Sequence, residues 1–340
     1  MKVCLYSKYQ KLIEKSGVGR AIYHQQKALA EVGISCVTNP EAADVIHINT
    51  VFPDSVRLAK WAKRQGKIVI FHAHSTKEDF RNSYIGSNVC AGLFGKWIKY
   101  CYSLGDCIIT PTSYSRKLLL SYGIKKPIFS LSNGIDVDYY QAQPEAGMRF
   151  RKKYGYSEDA KIVMSVGLWI ERKGILDFIK MAKEMPEYQF IWFGESDIYT
   201  LPKNIRKALK TKLPNLRFAG YVDKEALRDA YAGCDLFLFP SYEETEGIVV
   251  LEALAMKIPV LLRDIPVYDG WITDGKNAYK ACNVQDFKEK CRQIIEQELP
   301  DLTAGGYKTA EARSIDKIGQ KIKKVYLYAE KLRLVYKSIF

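Results

Sequence analysis

Short apolar runs separated by longer amphipathic stretches recur along the whole chain. In the first half, Val3–Tyr6, Val45–Asn49, Ile68–His72, Ile108–Pro111 and Ile128–Ser130 are short and largely apolar, as buried strands are. Between them, Ala21–Val32, Asp54–Arg64 and Ser115–Tyr122 carry helix-like patterns, and a long segment runs on to Ser103. The turn chemistry of Ser132-Asn-Gly-Ile-Asp136, followed by Gln141-Ala-Gln-Pro-Glu145, interrupts the series and predicts a linker. A second series places strands at Ile162–Val166, Phe190–Phe193, Leu216–Ala219, Leu236–Phe239 and Val260–Leu262, with helices that include Lys224–Ala232, Gly247–Met256 and Val284–Glu298. Such alternation predicts an α/β fold of two Rossmann-like domains with parallel sheets covered by helices. Sheets of this kind bind ligands beyond the carboxyl ends of their strands, so two that face each other predict an interdomain cleft.

A length of 340 residues suits that division. Residues 1–140 and 141–315 form the two domains, and 316–340 a basic amphipathic helix that packs back on the first. With 47% apolar and 26% charged residues the composition is globular, which excludes disorder and rod-like assemblies. The stretch Met1–Tyr6 meets Lys8 and lacks the apolar core of a signal peptide, so it reads as a first strand. No run approaches the roughly 18 apolar residues of a membrane span. Eight cysteines show no C-x-x-C pair, which predicts reduced core residues of a cytosolic protein.

The charge of +14 changes the picture, because soluble metabolic enzymes usually lie nearer neutrality. Residues 1–140 hold 19 basic against 10 acidic side chains, so the excess concentrates in the first half. The last 27 residues hold 7 basic and 2 acidic side chains among Ile, Val, Leu and Tyr, as a basic amphipathic helix would. An anionic surface is the implied partner. Nucleic acid is a second anionic candidate, but no recognised module appears and the basic residues are dispersed.

The most informative stretch runs from Asp235 to Ala255. A buried strand ends at Pro240, a polar loop follows, and a helix opens near Gly247. Free amides at a helix start and the helix dipole suit a phosphate, which brings in Thr245, Glu246, Gly247, Ile248 and Val249. Glu244 precedes the helix and Glu252 follows eight residues later, where an acid could accept hydrogen bonds from both hydroxyls of a ribose. Taken alone, the two would read as a solvated loop charge and an ordinary helix residue. The Ala-Leu-Ala that follows Glu252 argues for close packing, where an unpaired acid is costly. Upstream, Arg172 and Lys173 lie at a strand-to-helix turn, where two cations could hold a diphosphate, although Glu-Arg-Lys also fits a wet surface turn. In Ser16-Gly-Val-Gly-Arg20, Gly17 and Gly19 allow close approach of backbone to a phosphate or sugar. His72-Ala-His74 ends a strand facing the expected cleft, with too few ligands around it for a metal.

Together these elements resemble the GT-B glycosyltransferases of family 4, over nearly the whole chain. Glu244 and Glu252 match that family's E-x7-E motif, Arg172-Lys173-Gly174 its diphosphate turn, Ser16 to Arg20 its glycine loop, and Asn133 to Asp136 its interdomain junction. By that resemblance Glu252 would hold the donor ribose, Glu244 the transferred hexose, Arg172 and Lys173 the diphosphate, and Val222 the uracil through its backbone. His74 would face the hexose. The family is retaining and needs neither metal nor cofactor for transfer, so Asp136-Val-Asp138 in the linker reads as structural. Two positions depart from the pattern. Leu168 stands where the family usually has an arginine, so Arg172 is expected to supply that charge, and Thr245-Glu246 replaces the common Gly-Phe.

Within the family, the strings His72 to Ser83 and Glu243 to Glu252 look most like bacterial synthases that add a second hexose to monoglucosyl-diacylglycerol. The expected reaction is transfer of galactose or glucose from a UDP-sugar to that glycolipid at the inner face of the plasma membrane. Diacylglycerol itself or a soluble saccharide is the alternative acceptor. Val89 to Tyr102 mixes Phe94, Trp97, Tyr100 and Tyr102 with Lys96 and Lys99, which suits a helix lying in a headgroup layer as well as one burying its aromatics in the core. Phe80, Arg81, Lys96, Trp97 and Lys99 are the expected acceptor or membrane contacts.

Overall fold

The computed structural model describes residues 1–8 and 16–339, with side chains to Leu334. Two six-stranded sheets dominate it. Strands Lys2–Tyr6 (β1), Ser35–Cys36 (β2), Val45–Ile48 (β3), Ile68–His72 (β4), Cys107–Thr110 (β5) and Ile128–Ser130 (β6) form the first, in the order β2-β1-β3-β4-β5-β6. Strands Ile162–Val166 (β7), Gln189–Phe193 (β8), Leu216–Gly220 (β9), Leu236–Phe239 (β10), Val260–Arg263 (β11) and Tyr279–Ala281 (β12) form the second, ordered β12-β11-β10-β7-β8-β9. All pairings within the sheets are parallel. The central strands β3, β4, β5, β10 and β11 are buried at every position, as strands covered on both faces must be.

The order reverses between β1 and β3 in the first sheet and between β7 and β10 in the second. At such switch points the flanking helices leave on opposite faces and open a crevice at the carboxyl ends. The glycine loop follows β1, Arg172 and Lys173 follow β7, and Glu244 follows β10, so both crevices are lined by the residues that carry chemistry.

Two stretches join the domains side by side. Ile135 N donates to Arg313 O at 3.0 Å and Ile315 N to Ile135 O at 3.1 Å, so the outgoing and returning chains are zipped together. The turn residues that end at Glu145 are followed directly by a helix, Ala146–Tyr154. Beyond the junction, the helix Ile315–Ile339 lies against Gly17–Glu31 and buries Ile318, Ile322, Val325, Tyr326 and Ala329 with Val3, Leu29 and Val45. Gly319 makes this approach possible: a Cβ there would sit 2.1 Å from Ala28 O, inside van der Waals contact. The C-terminal segment is therefore part of the first domain's core. Lys337, in the basic helix expected from sequence, has a side chain outside the described residues.

The cysteine expectation needs correction. Cys4, Cys101, Cys107, Cys234 and Cys291 are buried, but Cys36, Cys90 and Cys282 lie on the surface. No helix among the described residues is long and apolar enough to cross a membrane.

Candidate active site

Between the carboxyl edges of the two sheets lies a cavity of about 490 Å³, lined from both domains. A larger one of about 680 Å³ opens beside Lys161, Asp235 and Val260, at the amino ends of β7, β10 and β11, which is the wrong end of a parallel sheet for ligand chemistry.

The wall contributed by the second domain carries the acid motif. Glu244 is buried, and its Oε1 accepts from Lys173 Nζ at 2.5 Å and Ser241 Oγ at 2.6 Å. Burial works against the Glu244 carboxylate, yet Lys173 and Arg172 hold it below its ordinary range. Burial also pulls Lys173 down, with Glu244 opposing the shift. Gly174 fixes the turn that presents this lysine. Its φ is +77°, and a Cβ there would meet Pro240 O at 2.2 Å, so no other residue fits.

Glu252 sits in the helix Ile248–Ala255 with 1% of its surface exposed. Its oxygens accept from Tyr140 Oη at 2.7 Å and Tyr231 Oη at 3.1 Å, and Arg20 Nη1 lies 3.4 Å away. Each carboxylate oxygen keeps lone-pair capacity for a ligand hydroxyl. Val222, Thr245, Gly247, Ile248 and Val249, also expected to bind the donor, line the same cavity. Glu246 does not. Its carboxylate turns to the junction, where Oε2 accepts from Asn133 N at 3.0 Å and Asn133 Nδ2 at 2.7 Å, and burial raises its pKa. Its place in the donor-binding set is therefore corrected: it ties the linker to the acid loop, because a buried carboxylate must take the nearest donors.

Arg172 lines the cavity but faces the first domain. Nη1 lies 2.9 Å from Asp79 Oδ1 and donates to Glu243 O at 2.7 Å, while Nε donates to Ser83 Oγ at 3.3 Å. Its backbone N donates to Asn82 O at 3.0 Å, so this arginine clasps the 79–83 segment to the second domain.

From the first domain, Gly17 and Gly19 line the cavity at the start of the helix Gly17–Glu31, capped where Gly19 N donates to Ser16 Oγ. His74 also faces it, with Nε2 2.8 Å from Asn49 Oδ1. Behind it, His72 and His47 stack in a buried row that ends on Tyr326 Oη, 2.6 Å from His47 Nδ1. Burial pushes His74 and His47 down to about 3, so His74 meets a ligand as a neutral imidazole. Arg20, Asp79 and Lys224 also line the cavity and were missed as site residues. The first two stand inside motifs already singled out, but nothing in their spacing shows which side chains turn inward.

The expected membrane helix is Ser87–Ser103. Lys96 and Lys99 are exposed on it, as is Arg81 before it, while Phe80 stacks on Phe94 with centroids 4.3 Å apart. Trp97 corrects the expectation: it packs against the core and donates Nε1–H to Val51 O at 2.6 Å, so it is not placed in a headgroup layer. The outward apolar residues are instead Ile85, Val89 and Leu93, on and just before the same helix.

Comparison with known proteins agrees with this architecture. The family model "Glycosyl transferases group 1" matches residues 148–312, and "Glycosyltransferase Family 4" matches residues 37–139. The chain is 43% identical, over 98% of its length and 100% of the relative's, to the processive diacylglycerol alpha-glucosyltransferase of Acholeplasma laidlawii. It is 30% identical to the alpha-galactosylglucosyldiacylglycerol synthase of Streptococcus pneumoniae, over 67% of this chain and 62% of that one. Among solved structures, Anabaena HepE in complex with UDP and glucose superposes with a TM-score of 0.76 at 15% identity, covering 96% of this chain and 98% of that one. Two family models that match its two halves, and a relative so similar along the whole chain, mean that this protein belongs to the GT-B glycosyltransferases of family 4.

Proposed function

We infer that the enzyme transfers glucose or galactose from a UDP-sugar to glucosyl-diacylglycerol, with retention of the α-configuration, while docked on an anionic membrane at the inner face. The observation that carries this reading is the cleft itself. Glu252 lines it with a carboxylate that suits a ribose, and Lys173 and Glu244 line it with a cation and an acid that suit a diphosphate and a hexose, beside a helix that exposes Val89, Leu93, Lys96 and Lys99. Departure of the diphosphate leaves negative charge next to Lys173 and the start of the helix Ile248–Ala255, which stabilise it without a metal. His74, neutral and backed by Asn49, orients the hexose rather than transferring a proton. The names of the two relatives support a glycerolipid acceptor. The first of these names also favours a second reading, in which diacylglycerol itself is glucosylated and the product re-enters as acceptor.

Radiolabelled UDP-glucose and UDP-galactose, each offered with diacylglycerol and with glucosyl-diacylglycerol, test both readings. Product from glucosyl-diacylglycerol alone supports the first, and product from both acceptors the second. No labelled glycolipid from any pairing removes both. The anomeric coupling of the product tests retention.

A further inference from the structure

We propose that Arg20, from the first domain, is the second cation of the diphosphate site, a binding role that rests on the UDP-sugar reading above. A diphosphate brings at least two negative charges into a cleft whose other cations are committed. Lys173 is paired with Glu244 at 2.5 Å, and Lys224 lies over the Tyr23 ring, 3.3 Å from its centroid. Leu168, two residues beyond β7, brings no charge. Arg172 has Nη1 on Asp79 and Glu243 O and Nε on Ser83, so neither of its two-nitrogen edges is open.

Arg20 differs. Only Nη1 is engaged among the described residues, donating to Tyr140 Oη at 2.7 Å and standing 3.4 Å from Glu252. The opposite edge, Nε and Nη2, has no protein partner there, and the side chain lines the cavity one residue after Gly19. An arginine edge with two parallel N–H groups matches two phosphate oxygens, a geometry a lysine cannot reproduce. The placement also has a reason. Nη1 is braced by the same phenol that braces Glu252, so the fork is held beside the ribose carboxylate, where the phosphates of a bound nucleotide begin. The first helix supplies the donor site with a cation, and donor binding draws the two domains together.

Calorimetric titration of UDP and of uridine separates the diphosphate from the nucleoside. With Arg20→Gln, UDP should bind about ten- to a hundredfold more weakly, the range of a lost charge-assisted hydrogen bond, while uridine changes by less than about twofold. Arg20→Lys, which keeps the charge without the fork, should lose part of the UDP affinity and none for uridine, and it carries the test if Arg20→Gln fails to fold. Equal losses for UDP and uridine would mean that Arg20 acts only through Glu252, and unchanged UDP binding would mean that it does not reach the phosphates. Either result overturns the proposal while leaving the donor assignment intact. A parent protein that binds no UDP overturns both.

Discussion

Val89 and Leu93 stand out because they are 88% and 71% exposed on a helix whose opposite face is core, with Ile85 62% exposed just before it. Replacing both with asparagine removes apolar surface that touches water in the free protein and hydrocarbon in the docked one. Full burial of such a side chain stabilises by about 1.5–3 kcal/mol, so the exposed parts of these two amount to about 3 kcal/mol. That equals roughly a hundredfold in partitioning, at 1.4 kcal/mol per factor of ten. Folding stability should hold within about 0.5 kcal/mol, as for surface changes generally. Co-sedimentation with anionic vesicles measures the first quantity and thermal melting the second. Trp97→Ala is the contrast, since Trp97 packs inward on Val51 and its loss should lower the melting temperature. A double variant that partitions like its parent would show that this helix does not enter the bilayer, and the membrane reading would then rest on charge alone.

Four further outcomes follow from the site. Glu252→Gln keeps the shape and removes the charge that ribose hydroxyls would meet, so transfer from a UDP-sugar should fall at least tenfold in a variant that still folds, with a lower melting temperature because Tyr140 or Tyr231 loses its acceptor; unchanged kinetics would remove Glu252 from the proposed donor site. Lys173→Met should abolish most transfer and also destabilise by about 1.5–3 kcal/mol, because it takes the nearer of two cations from the buried Glu244 carboxylate and leaves it Ser241 and the more distant Arg172, and a variant of parental stability would mean the pair is not buried in solution. All four histidines are buried, with His24, His47 and His74 lowered to about 3 and His72 well below its ordinary value. The unfolded chain therefore takes up protons below about pH 6.5 that the folded one refuses, so stability present above that pH should fall as pH drops towards 3, by up to about 1.4 kcal/mol per pH unit for each histidine, and flat urea midpoints from pH 7.5 to 5 would contradict this. Excess chelator should leave most transfer intact, since protein cations face the proposed diphosphate site; loss of activity that Mg²⁺ restores would overturn this.

Much of this molecule is written locally. Strand runs such as Val45–Ile48 and Leu236–Phe239 are apolar at nearly every position because both sheet faces are covered, and that pattern survives without any knowledge of neighbours. Glu244 and Glu252 are legible for a similar reason: their spacing around a strand-loop-helix turn is a property of one continuous segment. The short edge strands Ser35–Cys36 and Tyr279–Ala281 are not legible, since two or three residues hold no periodicity and are made strands only by the neighbour they pair with. Side-chain destinations were decided by the tertiary structure alone. Trp97 and Val89 share one helix and both suit a lipid surface by type, but the packing of that helix turns Trp97 to Val51 and leaves Val89 in water. Glu246 could have faced a donor sugar, yet Asn133 approaches from the junction and takes its carboxylate. The Asp79–Arg172 and Tyr140–Glu252 contacts join residues about a hundred positions apart, and the Tyr326–His47 contact spans 279 positions. Periodicity reports which way a residue faces relative to its own element; what it then touches depends on how elements distant in sequence are stacked, and a single segment carries no record of that.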